Sequence, residues 1–192
     1  MALAFLVITL LSSPWVGLAW AEAFADPMGD MFDRQGKAVV AESYLDIVEV
    51  EVVRLGAEYN AKIKMNGPLP SGLDDPTIFL EWDLLVDIDQ NYRTRTWGPW
   101  ILLDNGIGVD LLIRLMLGPR GQGYRAQVYD AATKKGVSIG FGVNEATVEL
   151  RFDDSSLGYA PEAVDFTFSA RKYGDYGQAG SELALDKAPN QG

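Results

Sequence analysis

Oxygen-bearing and aromatic side chains gather at a few places along this chain. In VDIDQNYRTRTWGPW, residues 86–100, Asp87, Asp89 and Asn91 stand two apart. An Asp-x-Asp-x-Asn run copies the first half of a helix–loop–helix calcium loop. The second half is missing, because Tyr92 stands where the sharp turn needs glycine and Gly98 where a bidentate glutamate belongs. A looser metal site or a salt-linked strand end is left. Asp87 and Asp89 leave one face of a strand about 7 Å apart. Their repulsion then needs a cation, or the guanidiniums of Arg93 and Arg95, to offset it.

A second group opens the chain beyond its apolar start. In DPMGD, Asp26 and Asp30 flank a Pro-Met-Gly turn, and Gly29 lets the backbone bend so that both carboxylates converge. Asp186, in the closing LDKAPNQG, is placed to return to the same end. Calcium bound at millimolar levels is the metal this set suits. The other reading is an Asp-stabilised turn. A third group is aromatic. Trp97 and Trp100 flank Gly98-Pro99, with Tyr92, Arg93 and Arg95 upstream. Exposed rings stack on sugar faces while arginines hold the hydroxyls. The alternative is that both tryptophans cap the end of a core. The carboxylate pairs Glu81/Asp83 and Glu149/Asp153 have the chemistry of a glycosidase. Alternating charges on an exposed strand face also arise without function, so no catalytic residue is assigned.

Composition narrows the options. The chain has 192 residues, neither cysteine nor histidine, and a formal charge of −11. Disulfides, thiol catalysis, Ser-His-Asp triads and ordinary zinc sites are excluded. Haem would lack its usual ligand and is disfavoured. Nucleic acid is a poor partner for so acidic a surface. Oxygen-only coordination, which suits calcium, is what the residue types leave.

The elements that must position these groups alternate with period two. Val48, Val50 and Val52 oppose Glu49 and Glu51, and Tyr59, Ala61, Ile63 and Met65 oppose Glu58, Asn60, Lys62 and Lys64. Leu55-Gly56 between them marks a hairpin turn. Leu80, Trp82, Leu84, Val86 and Ile88 share a face opposite Glu81, Asp83, Asp87 and Asp89. Further strands follow in GVDLLIRLMLG, GYRAQVYD, EATVELRF and AVDFTFSAR. No segment carries a helical stripe. The expected fold is all-β, a two-sheet antiparallel β-sandwich, jelly-roll-like, with apolar faces meeting and charged faces in water. Residues 1–25, apolar and uncharged until Glu22, read as an N-terminal signal peptide with cleavage after Ala21 or Ala25. No Lys or Arg follows Met1, so retention as an uncleaved anchor is the other option. Residues 26–173 form the sandwich, and residues 174–192 a Gly-rich strap or tail.

DPMGD, YLDIVEVEV, WDLLVDIDQNYRT, GIGVDLLIRL, EATVELRFDDSSLG, DFTFSAR and LDKAPNQG follow one another in an order that resembles the DOMON-like group of carbohydrate-binding sandwiches. That group includes family 9-type binding modules and the C-terminal domain of glucodextranase-like enzymes. The resemblance implies an exported, non-catalytic domain, periplasmic or extracellular. Its ligand would be a carbohydrate or surface glycan, sometimes with a structural calcium. The candidate site residues, read from the spacing above and not from the resemblance, are Trp97, Trp100, Tyr92, Arg93 and Arg95 for ligand. Those for metal are Asp26, Asp30, Asp87, Asp89 and Asp186. The alternative is a structural cell-surface or envelope domain that contacts another protein through a sheet edge or loop end.

Overall fold

The computed structural model of the chain describes residues 19–33, 37–40, 42–88, 90–91, 109–119, 121–130, 133, 135–158, 165–174 and 182–188. In chain order the strands are β1 (Ala19–Ala25), β2 (Ile47–Leu55), β3 (Glu58–Met65), β4 (Ile78–Asp87), β5 (Leu111–Leu117) and β6 (Tyr124–Asp130). Then follow β7 (Lys135–Ser138), β8 (Gly140–Asn144), β9 (Thr147–Asp153), the one-turn helix α1 (Asp154–Leu157), β10 (Asp165–Gly174) and β11 (Glu182–Ala188). The strands form two antiparallel sheets packed face to face. One has the order β1-β2-β3-β9-β8 and the other β11-β10-β4-β5-β6-β7. The all-β sandwich expected from the alternation is the fold observed.

The β2–β3 hairpin turns at Gly56, whose φ of +65° is the left-handed conformation a two-residue turn demands. Val50, Val52, Tyr59, Ala61, Ile63 and Met65 face inward as the pattern requires. Val48 does not. The register between β2 and β3 slips between Ile47 and Glu49, so Ile47 takes the buried place. Opposite them, Leu80, Trp82, Leu84, Val86, Ile113, Leu115 and Phe168 complete one core between the sheets. The chain passes from one sheet to the other at Ile139, where β7 runs directly into β8. Both strands are sheet edges.

Three expectations need correcting or refining. The charged face of β4 does not meet water. Glu81, Asp83 and Asp87 are buried along with Leu85, Leu112 and Met116 on the same side. The closing segment, expected as a strap or tail, contains β11, which pairs with β10 from Phe168↔Ala188 to Tyr173↔Glu182. Finally, Ala19–Ala25, inside the expected leader, pairs with β2 from Ala19↔Leu55 to Ala25↔Glu49.

Candidate metal centre and ligand groove

The loop after β1 and the strand β11 meet because their backbones exchange two hydrogen bonds. Phe32 N–H donates to Leu185 O and Leu185 N–H to Phe32 O, each 3.0 Å. That bridge sets Asp186 beside the DPMGD turn. Asp26 is fixed by its own N–H, which donates to Val48 O at 3.0 Å. Gly29 turns at φ +80° and donates its N–H to Asp46 Oδ1 at 2.9 Å. The result is one ligand oxygen from each of Asp26, Asp30 and Asp186, all within 4.8 Å of one another. Two oxygens bound to one calcium ion at 2.3–2.6 Å lie no more than about 5 Å apart, so the spacing suits a single cation. Asp26 and Asp186 are buried and Asp30 half-buried. Burial pushes the Asp30 carboxyl above its usual value, and the Asp46 charge adds to this against the Asp30 backbone hydrogen bond. An all-oxygen donor set fits a hard divalent cation; three carboxylates do not by themselves choose calcium over magnesium.

Asp46 was not singled out in the sequence, yet it braces this loop. It is fully buried, and its second oxygen accepts from the Asn66 side-chain amide at 2.9 Å. The signal was an acidic residue directly before the apolar alternation of β2. Asp186 Oδ2 likewise accepts from Ile47 N–H at 2.6 Å. Asp33, by contrast, is a turn residue that accepts from Lys37 N–H at 2.9 Å.

A groove of about 750 Å³ crosses the outward face of the five-stranded sheet. Strand register explains its floor. Val53, Asn60, Arg151 and Gly140 form one row across β2, β3, β9 and β8. The neighbouring rows place Glu51 beside Lys62 and Glu149, and Leu55 beside Glu58 and Asp153. Gly140 and Gly142 present no side chains, so the β8 end stays open. Ser138 and Ile139, at the corner between sheets, and Ser156 of α1 wall the groove. Lys62 pairs with Glu51 at 3.4 Å and Arg151 with Glu149 at 2.8 Å. Asn60 Oδ1 is shielded from water and has no hydrogen-bond partner among the described residues. Donors, acceptors and the apolar Val53 and Leu55 thus alternate along one open surface.

On the other sheet the carboxylates Glu81 and Asp83 lie between two arginines. Arg114 Nε donates to Asp83 at 2.8 Å and its Nη1 lies 3.2 Å from Glu81. Arg171 pairs with Asp83 from the other side. Burial pushes Asp83 up, but the Arg114 and Arg171 guanidiniums outweigh it and hold the carboxyl below its usual value. Burial pushes Glu81 up, and the two arginines do not fully offset this with Asp83 alongside. This pair is a neutralised structural cluster and not a water-facing acid pair. Asp153 of the second pair caps α1, its Oδ1 accepting from Ser155 Oγ, Ser156 Oγ and Ser156 N–H.

Of the metal residues expected, Asp26, Asp30 and Asp186 come together. Asp87 is not part of that group; it is buried at the end of β4 in register with Asp165. Its strand face is covered, so it does not present an open carboxylate at a strand end. Asp89, Tyr92, Arg93, Arg95, Trp97 and Trp100 lie outside the described residues. Trp82, expected in the core, is fully buried. No known family model, curated protein or solved structure matches this chain.

Proposed function

We propose that this is an exported, non-catalytic binding domain of the DOMON-like kind, periplasmic or extracellular. Its ligand is a carbohydrate or surface glycan, and a calcium ion at Asp26, Asp30 and Asp186 ties its two chain ends. The observation that carries the binding reading is the groove across the outward face of the five-stranded sheet. Its floor sets the donors Lys62 and Arg151, the acceptors Glu51, Glu58 and Asp153 and the apolar Val53 and Leu55 side by side on one open surface. The three acids are nearly balanced by the two bases. Such a surface favours a neutral ligand rich in hydroxyls over a polyanion. The non-catalytic reading is supported by the structural employment of Glu81, Asp83 and Asp153.

The Trp97/Trp100 loop, with Tyr92, Arg93 and Arg95, is the competing location for the same ligand. Calorimetric titration of soluble polysaccharides into the protein, in calcium, tests both. Asn60→Ala with Arg151→Ala should weaken binding at least tenfold and leave the melting temperature nearly unchanged. Loss of binding only in Trp97→Ala and Trp100→Ala would move the site to that loop. Failure of every glycan to bind would sink the carbohydrate reading. The protein-partner alternative has one observation of its own. Val137 on edge strand β7 is 55% exposed and Phe141 on edge strand β8 is 39% exposed, which is unusual dressing for bare sheet edges.

A further inference from the structure

We infer that export processing cuts this chain after Ala21, so that Glu22–Ala25 stay with the mature domain and its amine lies at Glu22, not at Asp26. The inference rests on the export reading but not on the glycan or the groove. The sequence offers two small-x-small sites, ending at Ala21 and at Ala25. The fold treats the two very differently.

A cut after Ala25 removes the whole of β1. Its seven residues pair with β2 from Ala19↔Leu55 to Ala25↔Glu49, and β1 is the edge of its sheet. The Phe24 ring lies 5.9 Å from that of Phe168, edge to face, and Phe168 is fully buried between the sheets. Losing Phe24 uncovers that part of the core, and β2 becomes the sheet edge, with its apolar residues close to water. A cut after Ala21 keeps Phe24 and the four pairs from Glu22↔Val52 to Ala25↔Glu49. It gives up the three pairs from Ala19↔Leu55 to Ala21↔Val53, and with them Trp20 and its contacts with Tyr59 and Phe166 at the strand's far end.

The second argument is electrostatic. Asp26 N–H now donates to Val48 O inside the fold, beside the Asp26/Asp30/Asp186 cluster. A cut after Ala25 turns that amide into an α-ammonium, positively charged at neutral pH. A fixed internal cation would then stand among the three carboxylates and compete with any metal ion. A cut after Ala21 leaves Asp26 an ordinary peptide residue four positions inside the chain, and the carboxylates keep their full charge for an external cation.

The test is to express the full chain in a bacterium with an export pathway and measure the intact mass of the exported product. The expected product begins at Glu22. An exported product beginning at Asp26 overturns this inference alone. A full-length chain confined to the cytoplasm overturns the export reading and this inference with it. Three variants sharpen the result. Ala21→Leu should abolish the product that begins at Glu22, and Ala25→Leu should leave it in place; the reverse pattern would contradict the assignment. Phe24→Ala should lower the melting temperature of the exported protein by roughly 4–8 °C. If Phe24 belonged to the discarded leader, that temperature would not move.

Discussion

Asp186 and Ile47 lie 139 positions apart in the chain, and the carboxylate of the first accepts a 2.6 Å hydrogen bond from the backbone N–H of the second. Edge strand β11 is thereby clasped to the start of β2 across the two sheets. Asp186 is fully buried, so removing its oxygen strands a buried donor. Asp186→Ala should cost about 2–3 kcal/mol in chelator. Asp186→Asn keeps an acceptor oxygen and should cost less than half as much. Urea denaturation of both variants checks the ranking. Equal losses would mean that the carboxylate charge, not the bond to Ile47, fastens the strand.

The buried charges on β4 make the second test. Arg114→Met leaves Asp83 and Glu81 in a covered site with Arg171 alone. Breaking a buried ion network from one side costs about 3–5 kcal/mol. The pH dependence separates the two acids. Asp83 has its pKa lowered from 3.8, so its stabilisation is present above that value and is lost as pH falls through the lower folded pKa. Glu81 has its pKa raised from 4.5, so its contribution is present below 4.5 and is lost as pH rises through the higher folded value. Glu81→Gln should therefore abolish the decline of stability that begins above about pH 4.5 and leave the acid-side loss in place. Parallel stability curves for wild type and variant would show that Glu81 is not held in a shifted state.

Much of this architecture was legible because most strands are half-buried and announce it by alternation. β2, β3, β4, β5, β6, β9 and β10 could all be read that way. The four strands that could not are all sheet edges. An edge strand is free of the demands that write a pattern. β7 is four exposed residues, β8 puts glycine at alternate positions, and β1 is alanine-rich and continues an apolar run. β11, ELALDKA, is built of residues that favour helix, and its pairing with β10 overrides that preference. Polar positions on β4 were read as wet because no single-strand pattern reveals Arg114 and Arg171 opposite them on neighbouring strands. The convergence of Asp26, Asp30 and Asp186 was legible from the short motifs DPMGD and LDKAPNQG. Its brace at Asp46 was not, since a lone acid before a strand reads as any other strand start.

Trp82 offers a sharper test of core packing than of function. It has no exposed surface, and its Nε1–H donates to Tyr44 O at 3.0 Å. Trp82→Phe keeps most of the apolar contact and loses that bond, for about 1 kcal/mol. Trp82→Ala also opens a cavity between the sheets and should cost about 3–5 kcal/mol. If Trp82→Phe proved as damaging as Trp82→Ala in chemical denaturation, the tie to the Tyr44 loop would outweigh the packing of the ring.

The metal proposal stands or falls on a comparison of melting temperatures in chelator and in millimolar calcium. A ligand at about 100 times its dissociation constant stabilises by about 2.7 kcal/mol. For a chain of this length that is a rise of roughly 5–10 °C. Asp30→Asn removes one ligand charge, so the calcium-dependent rise should shrink to less than half. In chelator the same variant should melt no lower than wild type, because it relieves repulsion between Asp30 and Asp46. Acid should mimic the variant. The Asp30 pKa is raised from 3.8, so protons compete with the cation at a higher pH than at an ordinary aspartate, and the calcium effect should fade first on that side. Magnesium in place of calcium tests the choice of ion, which the three carboxylates alone do not make. A drop of equal size in chelator and calcium would make Asp30 a turn residue, and the clasp between the chain ends would then rest on Asp186 and the Phe32–Leu185 bridge alone.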